Sequence, residues 1–498
     1  MYRSRPRGKI TEDTMDFLNS LYDDIDVAQY DIIGSQAHSI MLHTIGILDR
    51  NELKSILNSL NDIKKYDFFD VAVQEKENFE DIHEFIESEV IKKSGMKIGG
   101  KMHTARSRND QVVVDMCMKV RDEINFICSL ILDLENSILE RSKEFVFTTM
   151  PLYTHLQQAQ IGTVSHVLLS YIGNLTRDFK RFYSNYTRIN RSPLGACAVG
   201  GTSINIDRIL TSTLLGFDGL IRNSVDATTS RDSLLEYVSN LSILMISLSR
   251  IAEDFILWST SEFGYIELSD KYSSTSSVMP QKKNPDPLEI IRSRTSLVHG
   301  NLFSLMSIVN SLSSGYSRDL QDFKSKIFQS TKMVVGSLGV ITGIIDTFKV
   351  NLERLDYVSN NTFALSLDIA EQLVMNKHIP FRQSHTIIGN LVQKAIDKNY
   401  TSLINLSKAD VEIVIKDLDF NDLISVEDLI KIIGEITPSN SLQLRKSLGS
   451  PNPNEQERLI VQEKLQNQKY REKLFERKNK LTQSLENLEQ LVSIYSNG

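Results

Sequence analysis

YSSTSSVMPQKKNPDPLEIIRSR, residues 272–294, sets a Ser-Ser pair, a Pro, two Lys, an Asn and two further Pro ahead of an apolar run that begins at Leu288. Such a stretch predicts a loop that delivers polar groups to the start of a helix. Asp286, Pro287 and Glu289 suit the N-cap, N1 and N3 positions, with the two carboxylates satisfying orphan backbone N–H groups. That packing role leaves Ser276, Ser277, Lys282 and Asn284 unaccounted for. A Ser-rich loop carrying cations beside the positive end of a helix is suited to holding carboxylates and stabilising a developing anion.

Outward from this loop the pattern is helical. Apolar residues recur at helical spacing over 288–311 and 327–348, and a helix over 234–258 is expected to be buried on several sides, because it has no charge between Tyr237 and Ser249. Between them, SSGYSRDLQDFK at 313–324 mixes Tyr316, Arg318, Gln321 and Lys324 with acids. On a helix, Gln321 and Lys324 would share a face, as a solvated charged surface or as a binding one. Upstream, SPLGACAVGGT at 192–202 is Gly-rich but has no preceding strand and no GK[ST] ending, which argues against a phosphate-binding P-loop.

GGKMHTARSRNDQ, 99–111, holds a second group of donors ahead of a helix. Ser107 and Asp110 form a capping pattern, whereas His103, Arg106, Arg108 and Asn109 together make a ready anion site. Long helices are expected over 110–143 and 157–185, with Thr154 and His155 at the junction of loop and helix between them. A lone His is more often structural than catalytic, though a place at a helix entrance beside a hydroxyl favours a functional role for His155, and His83, within EDIHEFIE, reads as an ordinary exposed or half-buried helix residue. Short helices broken at Gly34-Ser35 are expected over 14–60, and a charged helix with a heptad-like stripe of Leu481, Leu485, Leu488, Val492 and Tyr495 at the end.

Composition narrows the function classes. The chain has 498 residues but only ten Pro, and Pro-free windows at 7–150, 194–279 and 288–379 permit long helices. With 56 basic and 63 acidic residues interspersed, a net charge of −7 argues against a nucleic acid or an anionic membrane as the main partner. Cys117, Cys128 and Cys197 lack metal-ligand spacing and cannot all pair, which fits a reducing compartment. The N-terminus, with Arg3, Arg5, Arg7 and Lys9, lacks the apolar segment of a secretory signal, so a cytoplasmic location is expected. Two apolar stretches, 154–176 and 333–345, read as core helices rather than membrane spans.

The 272–294 loop resembles the signature GSSxMPxKxNxxxxE of the aspartase/fumarase superfamily at Ser276, Ser277, Met279, Pro280, Lys282, Asn284 and Glu289, with Thr275 in place of the Gly. DIIGSQAH at 31–38, HTARSRNDQ at 103–111, YTHLQ at 153–157, NSVDATTSRD at 223–232 and RDLQDFK at 318–324 sharpen the resemblance to the argininosuccinate lyase/delta-crystallin family. Leu152 and Cys197 stand where glycines are usual, and Thr229-Ser230 departs from the common form DAVSDRD.

This resemblance implies an all-α, three-domain fold, drawn at residues 1–107, 108–354 and 355–498, whose central long-helix bundle assembles into a homotetramer. Each active site would draw on three subunits. The implied reaction is reversible elimination of argininosuccinate to arginine and fumarate, with no metal and no cofactor. Ser276 would be the general base, aided by Lys282, and His155 the general acid, oriented by Glu289. Ser20, Arg108, Asn109, Thr154, Asn284, Tyr316, Gln321 and Lys324 match substrate-binding positions. A sister lyase acting on another succinyl adduct, or a catalytically silent protein of delta-crystallin type, are the alternatives.

Overall fold

The computed structural model describes residues 11–497; the basic N-terminal residues Arg3, Arg5, Arg7 and Lys9 lie outside the described residues. Six long helices make up the body: α1 (Arg108–Glu144), α2 (Val164–Ile189), α3 (Asp232–Ser259), α4 (Asp286–Asn310), α5 (Phe323–Thr347) and α6 (Pro453–Asn497). The absence of interior Pro in α1, α2, α3 and α5 lets each backbone ladder run uninterrupted, and the Pro residues of α4 and α6 fall in the first turn, where no ladder bond is lost. α1 packs on α2, α5 and α6, and α3 packs on α4, α2 and α5.

One large hydrophobic cluster fills the space between these helices and extends into the N-terminal helices Ala28–Thr44, Arg50–Ile63 and Ile82–Ser94. A second, separate cluster gathers Leu373, Ile387, Leu391, Leu429 and neighbours from residues 364–442, joined by Ile161. The helix α6 returns to the first cluster through Leu474, Leu488 and Val492, so the heptad-like stripe packs on the body of its own chain. The apolar stretch of residues 333–345 lies within α5, where Val334, Leu338, Ile341, Ile344 and Ile345 are buried in the body.

Three expectations fail for identifiable reasons. Gly34 and Ser35 lie inside the helix Ala28–Thr44 rather than in a turn: Ser35 Oγ accepts a hydrogen bond from buried Arg106, and Gly34 faces Asp115 and Met118 of α1. Residues 149–163 form an antiparallel hairpin, β1 (Thr149–Thr154) and β2 (Gln157–Thr163), instead of the start of a helix. α4 starts at Asp286 with Pro285 at the cap, so Asp286 is N1 and no side chain caps the helix; its carboxylate is taken by Ser274 Oγ instead.

Candidate active site

The expected site residues fall on three separate elements. The first is a seven-residue loop, 276–282, closed by pairing of Ser274 with Asn284 and Thr275 with Lys283. Inside it, Ser276 Oγ accepts hydrogen bonds from the backbone N–H groups of Val278 at 3.2 Å and Met279 at 3.0 Å, and Ser276 N–H donates to Lys282 O at 3.4 Å. Two donors on one hydroxyl oxygen favour its anionic form. Lys282 and Glu289 are exposed, Asn284 is half-buried, and Lys283 is held away by Asp270 and Glu267. Thr275 is accommodated as part of an extended pair, with no left-handed backbone at that position.

The second element is the tip of the β1–β2 hairpin. His155 and Leu156 form a two-residue turn with φ of 54° and 58°, flanked by the pair Thr154–Gln157. Both positive angles are those of a type I′ turn, a conformation normally left to Asn and Gly. Thr154 and His155 are therefore exposed at the end of a projecting ribbon. Leu152 lies over Gly162, where an added Cβ would come within 2.8 Å of its side chain.

The third element is a polar cluster beneath the start of α1, buried at Ser20, Asp24 and Lys324 and half-buried at Arg108 and Arg318. Arg108, at the first position of α1, pairs with Asp81 and sits 3.7 Å from Glu80, and Arg318 reaches Glu80 at 3.1 Å and Gln321 Oε1 at 3.0 Å. Burial opposes the Arg108 charge, but the Asp81 carboxylate raises its affinity for the proton above the usual range. Gln321 and Lys324 both reach the 18–24 segment, from a short turn and a helix start rather than from one helix. Gln321 lies in the short turn Arg318–Asp322 and donates to Leu18 O at 3.1 Å, whereas Lys324, in the first turn of α5, pairs with Asp24. Ser20 donates to Asp24 at 2.9 Å, Asn109 Nδ2 donates to Ala198 O at 3.0 Å, and Tyr316 is half-buried near Arg108.

The four donors of HTARSRNDQ do not form one open anion site. Arg106 turns inward to Ser35, and His103, 3.4 Å from Glu87, is lowered to about 4 by burial and by Arg106. Asp110 completes the predicted capping box with Ser107 and also accepts from Gly195 N–H at 2.9 Å and Cys197 N–H at 2.8 Å. Cys197 has φ of 56°, which accounts for the glycine usual at this position.

Several residues of the site escaped the sequence reading. His83 is buried rather than exposed or half-buried, with Nδ1 3.2 Å from Asp31 and 3.6 Å from Asp115. Burial alone would raise the Asp31 carboxyl, but His83 and Arg106 hold it below the usual range, whereas burial and the Asp31 charge push Asp115 well up. These three residues bring possible metal-ligating atoms within 4.8 Å of one another. Arg106 acts on both carboxylates and supplies opposing charge from within the chain. Asp24 and Asp81 were missed because LYDDID and FEDIH read as ordinary helix-start acids; their cationic partners lie 300 and 27 residues away.

Comparison with known proteins gives the family and the fold. Residues 8–300 match the Lyase family and residues 363–434 the Argininosuccinate lyase C-terminal family. The chain is 47% identical over 493 residues to the argininosuccinate lyase of Nitrosopumilus maritimus, covering 99% of each, and 38% identical over 460 residues to that of Methanococcus vannielii, covering 92% and 93%. Among solved structures it is similar to EDDS lyase in complex with formate, with a TM-score of 0.83, 26% identity and 99% and 97% coverage. Its fold is also that of the class II fumarase from Schistosoma mansoni, with a TM-score of 0.69, 15% identity and 84% and 90% coverage. The fold and the Ser276 loop define a lyase of the aspartase/fumarase superfamily. Within that class, the chain belongs to the argininosuccinate lyase family.

Proposed function

We propose that the protein catalyses the reversible elimination of argininosuccinate to L-arginine and fumarate, with Ser276 as the base. The observation that carries the reading is the Ser276 hydroxyl, which takes two backbone N–H donors on a surface loop that also carries Lys282 and Asn284. Removing the proton beside a substrate carboxylate leaves a carbanion whose charge spreads into that carboxylate. Donors placed for that dianion lower the barrier, each by about 3–4 kcal/mol. Lys282 and Asn284 are assigned to the fumarate-side carboxylates, and His155 to protonating the departing guanidino nitrogen with Glu289 orienting it. Arg108, Asn109, Ser20, Thr154, Tyr316, Gln321 and Lys324 form the remaining substrate contacts.

The three elements project from different parts of one chain, which supports a site completed between subunits of a homotetramer. A further support is the set of exposed apolar residues Ile243 and Ile246 on α3 and Ile290, Leu297, Phe303 and Met306 on α4, faces that a bundle of helices from several chains would bury. The separate cluster at 364–442 supports a distinct domain within 355–498, after 1–107 and 108–354. We place the enzyme in the cytoplasm, on the reduced state expected of its three cysteines.

A substrate panel tests the reading. Purified protein is offered argininosuccinate, adenylosuccinate, aspartate and malate while fumarate is followed by ultraviolet absorbance. Fumarate from argininosuccinate alone is expected; release from another succinyl adduct, or from none by a folded protein, contradicts it. For the shared site, mixing inactive Ser276→Ala and His155→Asn proteins after dissociation is expected to restore activity. Mixed tetramers that stay inactive would contradict a site built across subunits.

A further inference from the structure

Ser20 and Lys324 match substrate-binding positions, yet neither opens to solvent: Ser20 is 3% exposed and Lys324 1%. Both turn onto one carboxylate. Asp24, with no exposure, accepts from Ser20 Oγ at 2.9 Å and from the Ile82 backbone N–H at 3.3 Å through Oδ2, and pairs with Lys324 through Oδ1. Ile82 follows Asp81, the N-cap of the helix Ile82–Ser94, whose carboxylate accepts from Glu84 N–H at 2.8 Å and pairs with Arg108.

The surroundings make Asp24 more than a surface counter-ion. Lys324 is the second residue of α5, where the positive end of the helix disfavours a cation and burial disfavours it further. Asp24 is the carboxylate that pairs with Lys324 directly, while Asp23, Asp81 and Asp115 act on it from further off. The segment that brings Asp24 there is itself fastened to residues assigned to the site: Arg318 and Gln321 donate to Leu18 O at 3.0 and 3.1 Å, and Ser20 N–H donates to Glu80 O at 2.8 Å. The Asp24 carboxylate takes three donors, from residues 20, 82 and 324, of which Ser20 and Lys324 are assigned substrate contacts and Ile82 follows Asp81, the partner of Arg108.

We propose that Asp24 is a positioning residue for the substrate site, orienting Ser20 and Lys324 against each other and registering the Asp81–Arg108 pair beside them. This rests on the argininosuccinate reading above. Asp24 acts through its neighbours, and Ser276 sits on a different element, so losing the Asp24 charge loosens substrate binding more than it slows proton removal.

Steady-state kinetics on the full-length protein, with argininosuccinate as substrate and thermal melts alongside, test this for Asp24→Asn, Lys324→Met and the double variant. Asp24→Asn is expected to melt cooperatively and to raise KM at least about tenfold with kcat within about threefold. The double variant should have a KM within about twofold of the worse single variant, because the two residues act as one unit. Asp24→Glu, which keeps the charge one methylene further out, should lie between the parent and Asp24→Asn. A KM for Asp24→Asn within about twofold of the parent, or effects that multiply in the double variant, overturns the proposal. Should Asp24→Asn fail to fold, Asp24→Glu decides: KM raised at least about threefold with near-parent kcat supports the role, and an unchanged KM overturns it. A parent that releases no fumarate would count against the reaction assigned above, a separate result from an active parent with an indifferent Asp24.

Discussion

His155 and Leu156 occupy the two central positions of a hairpin turn, both with positive φ, at the tip of a ribbon that neither helical periodicity nor turn chemistry foretells. A non-glycine residue in that region is tolerated at a cost of about 1–2 kcal/mol, a cost found most often where geometry serves function. His155→Asn keeps a residue that accepts the left-handed conformation and removes the imidazole. We expect the melting temperature to be unchanged or slightly higher and fumarate release to fall about 10²–10⁴-fold. Parallel thermal melts and initial rates check both halves.

The expectation for this ribbon was a helix, and the reason it failed is instructive. Residues 157–163 are polar and small, QQAQIGT, which carries no strand alternation, and the turn has neither Gly nor Asn. What holds the strands is pairing and the fit of Gly162 under Leu152, both invisible to periodicity. By contrast, the body was legible: Pro-free windows and charge-free faces marked α3, α4 and α5 to within a few residues. The Ser276 loop was legible from its residue types. The carboxylates of Asp24 and Asp81, beneath the start of α1, were not, because an Asp in a helix-start pattern gives no sign that its cation lies far along the chain, as Lys324 does from Asp24.

Asp110 carries more than a cap. It accepts from Ser107 N–H at 3.0 Å as well as from Gly195 and Cys197, and so pins the 193–197 turn, with Cys197 in its left-handed conformation, to the start of α1. Asp110→Ala leaves three N–H groups without this acceptor, so stability should fall by about 3 kcal/mol. Denaturant unfolding measures this, and a loss below about 1 kcal/mol would show that water replaces the carboxylate.

The final helix is part of the body. Leu488 is buried in the main cluster, Asn467 donates to Glu135 at 2.9 Å, and Gln456 accepts from Thr163 at 2.6 Å. Leu488→Ala should therefore cost about 2–5 kcal/mol, as for other buried leucines. An exposed, independent tail would show no change in the same unfolding experiment.

Two buried groups give opposite pH signatures. His38, enclosed with Nε2 at 2.9 Å from Thr104 O, is lowered to about 3 by burial and by Arg106. The unfolded chain takes up its proton near 6.5 while the folded one does not, so stability falls as pH drops below about 6.5. Glu135, raised to about 7 by burial, keeps its proton in the folded state. Its contribution is present below the unfolded value near 4.5 and is lost as pH rises toward 7. Melts between pH 4.5 and 7 should show a shallower acid-side loss for His38→Gln and a steeper one for Glu135→Gln, each by up to about one proton. Parallel curves for parent and variants would refute both assignments.

The role of Ser276 is the centre of the account, and one measurement reaches it directly. Parent and Ser276→Ala proteins of equal melting temperature are mixed with argininosuccinate and fumarate absorbance is followed. Steady release by the parent is expected, with a rate at least about 10³-fold lower for the variant and substrate binding retained. A variant that turns over within tenfold of the parent would contradict that role.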